Sequence, residues 1–492
     1  MFGLHKSIKL KRDILEVLDN ATDYLSIKEI QELLEYPSFH SVKQACTELK
    51  ELFQELFHPD EAQILIKVSG GIKIERHGNK TQRITEYLVT EDLIYTFLRT
   101  ILLERTIDTD TFLEKHFISR SALYARIRRI NQSLNPYELH ITLSNQIRLK
   151  GEEYRIRSFS YIFLFITHRM IDQLPHITHK NTYLSMTKKI FGYLEIPLSE
   201  NVLQSLAIFT FITQNGASKN TIHPHEKVLR YVRQFEYPEK PQFLTDWHTS
   251  DWEFYLYFLY LSNRLDFQYK DKLVLHNYYF FEHAAKDWVT CFETYFFHTT
   301  EQEKKKIYTA VNQQLLSIQT FPFNKEFFDN VKMISEDQTR LQFPELMERF
   351  ELFWTELTQI QPLFASSFYT RQVSLLTVIQ LMNFDFLKPS IKVYIYSDIG
   401  QLHQDYLTSR LMQMLTNYKF EFVSTPPEAA LIISTVEYLE PVAITQQLLV
   451  IHSTLSPTDL IIIERTLQNI VETKKQSKWL KKLSHLLCFF YF

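Results

Sequence analysis

Residues Thr109 to Phe159 read TDTFLEKHFISRSALYARIRRINQSLNPYELHITLSNQIRLKGEEYRIRSF, and this stretch decides the fold expected near the N-terminus. Its order is helix, tight turn, basic helix and β-hairpin, which is typical of a winged helix-turn-helix. Ser119 stands where the second helix needs an N-cap, because a serine side chain accepts amide N–H groups left unpaired at a helix start. Apolar residues then recur at three- and four-residue steps, which predicts one buried stripe. The stripe consists of Leu123, Ile127, Ile130 and Leu134.

Burying that stripe turns the opposite face of the helix toward solvent, where its basic residues suit DNA. Arginine side chains present forked donors to phosphates and guanine edges. The following hairpin, which turns at Ser144 to Gln146, forms a basic wing. Eight Lys/Arg stand against three acids between His116 and Arg157, whereas the whole chain has a net charge of −3. The predicted DNA contacts are Arg120, Ser121, Arg128, Arg129 and Gln132 on the helix, with Arg148 and Lys150 on the wing. An arginine-rich helix can also be only a solvated face, but the flanking helix and hairpin favour DNA binding.

A less basic copy of the same pattern lies upstream, between Lys11 and Arg76. Two short helical patterns, the second capped by Ser26, are followed by a third helix from Ser38. The run ILIKVSGGIKIER then predicts another hairpin wing around its paired glycines. The outward residues of the third helix, predicted to contact DNA, are His40, Lys43, Gln44 and Thr47. A small helical domain that only packs on its neighbour would show much the same pattern.

Composition narrows the class of protein. The three cysteines, Cys46, Cys291 and Cys488, are far apart and form no CxxC pair, so neither a disulfide framework nor a zinc site is expected. A reducing compartment fits this usage. The N-terminus lacks the apolar core of a signal peptide, and no apolar run approaches a membrane span. We therefore expect a cytoplasmic protein without a membrane partner. No catalytic motif appears, so we expect neither enzymatic activity nor a cofactor.

Two further sequence patterns follow the winged units. From about Tyr161 to Leu387 the sequence is a succession of amphipathic helical patterns. After Pro389, short β-branched or aromatic strands alternate with helical stretches, which favours a small, mostly parallel sheet. In such a fold the loop after the first strand, Ser397 to Gln401, is where a ligand or phosphate would sit, and here we expect an inert or regulatory remnant.

The predicted fold class is thus mainly α and multidomain. The expected domains are winged helix-turn-helix units over 1–80 and 81–159, helical bundles over 160–268 and 269–387, and an α/β domain over 388–492.

The segment FISRSALYARIRRINQSL followed by IRLKGEEYRIRSF resembles the DNA-binding motif of the Mga and AtxA family of bacterial virulence regulators. The resemblance in domain order covers nearly the whole chain. It implies that the bundles are similar to phosphotransferase-system regulation domains, and that the last domain is similar to sugar-transport enzyme IIB. Members of that family regulate transcription and self-associate through the C-terminal half, so promoter DNA, a second copy and phosphotransferase-system proteins are the implied partners.

The resemblance also implies regulatory phosphorylation. His225 and His283 are the candidate positions among several histidines of the helical region, which also include His176, His179, His223 and His276. Enzyme IIB carries a phosphate-accepting cysteine after its first strand, and this chain has Ser397 near that point.

Two rival functions remain. An RNA-binding antiterminator would also suit phosphotransferase-like bundles, but it predicts an RNA-binding sheet at the N-terminus. A phosphotransfer component would need Ser397 as nucleophile with an activating base nearby, because serine without a base is a poor acceptor. We favour a homodimeric transcription regulator, with the apolar tail LLCFFYF at residues 486–492 helping to join its subunits.

Overall fold

The computed structural model describes residues 5–36, 38–67, 70–78, 81–262, 274–275, 280–321, 333–382, 388–437, 443, 446–471 and 473. The chain divides into two compact units, Met1–Glu336 with Arg349–Thr377, and Asp337–Glu348 with Val378–Phe492. His276 and the apolar tail lie outside the described residues, as do the expected domain boundaries after residues 268 and 387.

Residues 6–76 fold as the first winged helix-turn-helix unit. Its elements are α1 Lys6–Asn20, β1 Leu25–Ser26, α2 Ile27–Leu33, α3 Phe39–Leu56, β2 Ala62–Ile66 and β3 Gly71–Arg76. The Ser26 hydroxyl accepts the Glu29 N–H at 3.2 Å, and the Glu29 carboxylate accepts the Ser26 N–H at 2.7 Å. This reciprocal capping box starts α2, while Ser38 caps α3. β2 and β3 pair antiparallel beside Gly70, whose φ of +88° favours glycine. The Ser26 cap, the start of the third helix at Ser38 and the hairpin were predicted and are confirmed.

Residues 81–150 form the second winged unit. Its elements are α4 Thr81–Thr90, α5 Leu93–Glu104, β4 Thr106–Asp108, α6 Thr109–His116, α7 Arg120–Leu134, β5 His140–Leu143 and β6 Gln146–Lys150. Strand β6 pairs antiparallel with both neighbours, giving a three-stranded wing sheet in the order β4-β6-β5. The four stripe residues of α7 are buried, which confirms the periodicity argument.

The helical region begins directly after the second wing, with α8. Its helices are α8 Glu153–His168, α9 Lys180–Tyr193, α10 Glu200–Ala217, α11 Glu226–Val232, α12 Thr249–Leu261, α13 Glu282–Tyr295, α14 Glu301–Thr320, α15 Glu336–Gln342, α16 Pro344–Ile360 and α17 Phe368–Leu381. Strands β7 Phe235–Glu236 and β8 Val274–Leu275 pair antiparallel. Helices α8 and α12 are buried around nearly their whole circumference, as interior helices are. One apolar core runs from Val89 to Phe321, and α8 passes through the boundary expected at 159/160.

The C-terminal residues build the predicted α/β domain. Strands β9 Ser390–Tyr396, β10 Lys419–Phe422, β11 Leu431–Ser434 and β12 Gln447–Val450 are all parallel, in the order β10-β9-β11-β12. Helix α18 Gln401–Met414 and a helix over 457–471 contribute Leu407, Leu411, Ile463 and Leu467 to the core beneath the sheet. Strand β11 is buried along its whole length because it is central and covered on both faces. Within the described ranges no helix is long and apolar enough to cross a membrane.

Candidate nucleic-acid interface

Helix α7 is held so that one face must point away from the protein. Its first turn is capped by Ser119, whose hydroxyl accepts the Ala122 N–H at 3.2 Å. Leu123 and Ile127 are only 2% and 4% exposed, and the two later stripe residues are completely buried. The apolar stripe therefore fixes the rotation of the helix. The predicted DNA-contacting residues of the helix and wing are all exposed, namely Arg120, Ser121, Arg128, Arg129, Gln132, Arg148 and Lys150.

Two of these residues differ from the others in their surroundings. Arg128 and Arg129 form no ion pair or side-chain hydrogen bond with another described residue, so their guanidinium groups stand ready for an external anion. Arg120 instead donates from Nη2 to the carbonyl oxygen of Ser144 at 2.7 Å. It links the start of α7 to the tip of the wing. Its predicted role as a DNA contact is thus combined with a structural one.

The wing is also fastened to α7 by a residue that the sequence did not single out. The Asn131 amide donates to the carbonyl of Ile141 and accepts the N–H of Ile141, both at 2.8 Å. These two bonds use the backbone of the outer strand β5 and fix its distance from the helix. On the wing itself, Arg148 donates from Nε and Nη2 to the Gln146 side chain at 3.3 and 2.8 Å. Hydrogen bonds from Arg120 and Asn131 therefore join the helix and the wing into one continuous charged surface.

Two exposed aromatic residues extend this surface, and neither was predicted from the sequence. Tyr124 is 61% exposed and lies one helical turn from both Arg120 and Arg128. Phe117, in the turn between α6 and α7, is 95% exposed and has a φ of +50°. A bulky residue with positive φ is unusual, and strained residues cluster at functional sites. The sequence did carry a signal for them, since both aromatics fall outside the apolar stripe of the motif.

Two of the eight basic residues counted between His116 and Arg157 do not belong to the exposed surface of α7 and the wing. Arg157 is 1% exposed at its side chain and forms ion pairs with Glu153 at 3.0 Å and Asp251 at 2.6 Å. Arg155 is 12% exposed and pairs with Glu138 and Glu152 at 3.1 and 3.2 Å. The count of basic residues around the wing extended to Arg157, but the segment from Glu153 onward is the start of the interior helix α8. Its arginines therefore point into the protein.

Buried ions connect the base of the wing to the helical region. Arg105 donates to both carboxylate oxygens of Glu153, at 3.2 and 2.7 Å, and its own carbonyl accepts the N–H of Leu149 in β6 at 3.0 Å. Arg157 shares Glu153 and reaches Asp251 in the first turn of α12. Because these charged side chains are almost completely buried, each depends on its partners. The wing of the second unit is thus joined through Arg157 to α12.

The first winged unit exposes the predicted residues in a different electrostatic setting. His40, Lys43, Gln44 and Thr47 all face solvent on α3. However, Gln44 donates to Glu48 at 2.8 Å, and Glu48 pairs with Lys11 at 2.7 Å. The bond from Lys11 keeps the pKa of Glu48 below its usual value, so this carboxylate is charged at neutral pH beside the outward face. The face of α3 is therefore close to neutral.

The histidines proposed for phosphorylation lie at helix starts. His225 is exposed and accepts the Lys227 N–H at its Nδ1 at 3.2 Å, capping α11. His283 is exposed in the first turn of α13. His168, which was not proposed, is buried, and its Nδ1 lies 2.6 Å from a Glu86 carboxylate oxygen. Neither nitrogen of the His176 ring has a hydrogen-bond partner among the described residues, and burial lowers its pKa to about 3. The two proposed positions are accessible, and their phosphorylation stays a prediction.

This geometry first defines a class of protein. A helix-turn-helix with an arginine-bearing second helix and a basic wing is a nucleic-acid-binding module. Residues 78–165 match the family model of the Mga helix-turn-helix domain, a segment that contains the whole second winged unit. The chain therefore carries an Mga helix-turn-helix domain, as its motif predicted, and this supports a DNA-binding transcriptional regulator. No curated protein matches the chain. Within the described ranges, no three His, Cys, Asp or Glu side chains are placed to hold a metal ion.

Proposed function

We propose that the protein is a transcription regulator that binds promoter DNA with α7 in the major groove and the β5–β6 wing against the backbone. The observation that carries this proposal is the pair Arg128 and Arg129, exposed without protein partners among the described residues, on a helix whose rotation is fixed by its buried stripe. The major groove of B-DNA admits an α-helix and presents acceptors on guanine that suit arginine. Gln132, one turn further along α7, is a donor and acceptor suited to adenine.

The wing residues have a different task in this proposal. Arg148 and Lys150 lie on alternate positions of β6 and are both exposed. Contacts to phosphate oxygens fix the register of a protein on DNA but carry no sequence information directly. Arg120 and Asn131 hold this wing at a constant distance from α7. The wing therefore positions the reading helix, and the first winged unit adds a weaker contact through α3.

Assembly and regulation complete the proposal. Two half-sites read by a symmetric dimer give the affinity and spacing that a single winged unit lacks. The helical region would act as a phosphotransferase-like regulation domain, with His225 and His283 as phosphorylation positions accessible to phosphotransferase-system proteins. The link from Arg157 to Asp251 offers a physical route from α12 to the second wing. In this proposal the protein is a cytoplasmic homodimer.

The test is a footprint of the full chain on genomic fragments, followed by binding titrations on the protected sequence. The variant Arg128→Ala/Arg129→Ala should lose the footprint. Lys188→Ala/Lys189→Ala is the matched control, because it removes two adjacent exposed charges from α9. Equal binding by both variants would contradict the proposal. Parallel titrations with hairpin RNA test the alternative function of an RNA-binding antiterminator. Such a protein would bind the RNA more tightly than the protected DNA duplex.

A further inference from the structure

A serine and a histidine lie together at the C-terminal edge of the parallel sheet, far in sequence from the DNA-binding face. Ser397 directly follows β9 and is 8% exposed. Its Oγ lies 2.7 Å from Nδ1 of His403, in the first turn of α18. The loop was expected to be an inert or regulatory remnant, and a phosphotransfer role for Ser397 was expected to need an activating base nearby. The structure supplies that base six residues further along the chain.

The hydrogen-bond partner of the other imidazole nitrogen, Nε2, determines which ring nitrogen carries the proton. His403 Nε2 lies 2.8 Å from the carbonyl oxygen of Ser453, and a carbonyl can only accept. In the neutral ring Nε2 must therefore carry the proton, so Nδ1 has its lone pair directed at Ser397. The Ser397 hydroxyl donates to that lone pair. A hydroxyl hydrogen-bonded to an imidazole that a third group orients is the arrangement of an activated nucleophile.

The surroundings of the hydroxyl favour an incoming anion. Gly400, with a φ of +112°, leads the loop into α18, a helix of 14 residues that has no side-chain cap. The start of such a helix carries unpaired N–H groups and a partial positive charge. Asp398, the nearest carboxylate in the loop, accepts from the Thr435 hydroxyl at 2.7 Å. A phosphoryl group on Ser397 would lie beside the helix start, which stabilises its charge.

We propose that Ser397 is a covalent phosphoryl acceptor, with His403 as its general base and an acyl phosphate as the donor class. Ser397 Oγ attacks the phosphorus atom of the donor, and its hydroxyl proton passes to His403 Nδ1. An O–P bond forms at the serine, the P–O bond to the acyl group breaks, and the carboxylate leaves with the electron pair. The product is phosphoserine and a free carboxylate. This activity is independent of DNA binding.

The experiment uses the full chain and radiolabelled acetyl phosphate. We expect about one phosphoryl group per chain, in a bond that resists acid and hydroxylamine, unlike phosphohistidine or an acyl phosphate. The variant His403→Gln keeps a donor for Ser453 and an acceptor for Ser397 but removes the base. Labelling should then slow by about 10²- to 10⁴-fold, the usual contribution of a general base. Ser409→Ala, on the exposed face of α18, is the matched control and should label as the unmodified chain does.

Mass spectrometry of the labelled wild-type chain identifies the phosphorylated residue directly. The identification therefore does not depend on a Ser397→Ala variant, which could fail to fold. A phosphate that maps to Ser397 and depends on His403 supports the proposal. Labelling at another residue, no labelling, or an unchanged rate in His403→Gln would each overturn it. In the last two cases the hydrogen bonds of Ser397 only fasten the loop to α18.

Discussion

The two winged helix-turn-helix units carry the same elements in nearly the same order, but they present different chemistry to solvent. On α3, the outward Gln44 is bonded to Glu48, which also holds Lys11. On α7, the outward Arg128 and Arg129 have no partner among the described residues. Both helices are fixed by an apolar stripe and a serine cap. The stripe therefore makes the fold, while the residues between its members determine the charge that each unit presents to solvent.

The units also differ in what supports them. The first has a separate core, built from α1, α2, α3 and its wing and completed by Ile84 and Leu88 of α4, the first helix of the second unit. The core of the second extends through α8 into α12, and buried ion pairs from Arg105 through Glu153 and Arg157 to Asp251 follow the same path. A change in the helical region can thus alter the second unit directly. The unit with the more basic exposed face is also the unit that is joined by buried ion pairs to the proposed regulatory region.

The largest effect is expected from Arg128→Ala/Arg129→Ala. Each arginine that contacts DNA contributes about 1–3 kcal/mol, so affinity should fall by roughly 30-fold or more. Each phosphate contact that the variant removes should also reduce the slope of log affinity against log salt by about 0.9. Titrations at several salt concentrations measure both quantities. Wild-type affinity and slope in this variant would mean that α7 is not the reading helix.

A second test breaks the buried ion pair between Arg157 and Asp251, which joins the second winged unit to α12. Replacing Asp251 by Ala leaves the Arg157 charge buried without one of its partners, which should cost about 3–5 kcal/mol of unfolding free energy. Hydrogen exchange should then show reduced protection in α8 and α12, with α1 to α3 unaffected. Asp246→Ala removes an exposed carboxylate from the loop before α12 and serves as control, with a cost within about 1 kcal/mol. An equal drop in protection in both winged units would show that they are coupled after all.

Local features of both units could be predicted from the sequence, because they depend on neighbouring residues. The caps at Ser26 and Ser119, and the start of α3 at Ser38, follow from a serine placed before an apolar period. The pairing of Arg157 with Asp251 could not, since 94 residues separate them and only the packing of α8 against α12 brings them together. Arg157 was consequently counted with the basic residues of the wing, because a charged residue is normally found at the surface.

The site formed by Ser397 and His403 shows a second reason why some features could not be predicted from the sequence. The parallel sheet and the loop at Ser397 were predicted from alternating strands and helices, and the sheet is confirmed. His403 is only six residues away, yet its role depends on the turn into α18 and on the carbonyl of Ser453, 50 residues further along the chain. Spacing along the sequence could not reveal that both ring nitrogens are engaged. Hydrogen-bond partners in loops need coordinates, even when the residues are close in sequence.

A smaller effect is expected where the wing is fastened to α7. Asn131→Ala removes both bonds to Ile141 and leaves its N–H and carbonyl without that partner, at a cost of about 1–3 kcal/mol in stability. DNA affinity should fall mainly through the wing, so an added Arg148→Ala change should have less effect in this variant than alone. The control is Asn135→Ala, an exposed amide at the end of the same helix. Fully additive losses from the Asn131 and Arg148 changes would contradict the positioning role.

The smallest effect concerns the first unit and tests the comparison itself. Lys43→Ala/Gln44→Ala changes the outward face of α3 at two positions, as the arginine variant does on α7, but one of them is uncharged and tied to Glu48. We expect promoter affinity to fall by less than about tenfold, or 1.4 kcal/mol, and the salt slope to decrease by no more than about 0.9, because only Lys43 can neutralise a phosphate. The same titrations compare both double variants, with Lys188→Ala/Lys189→Ala as their common control. A larger loss of affinity from the α3 changes would reverse the ranking, because a nearly neutral face would then bind DNA more strongly than a basic one, and base contacts rather than charge would dominate recognition by this protein.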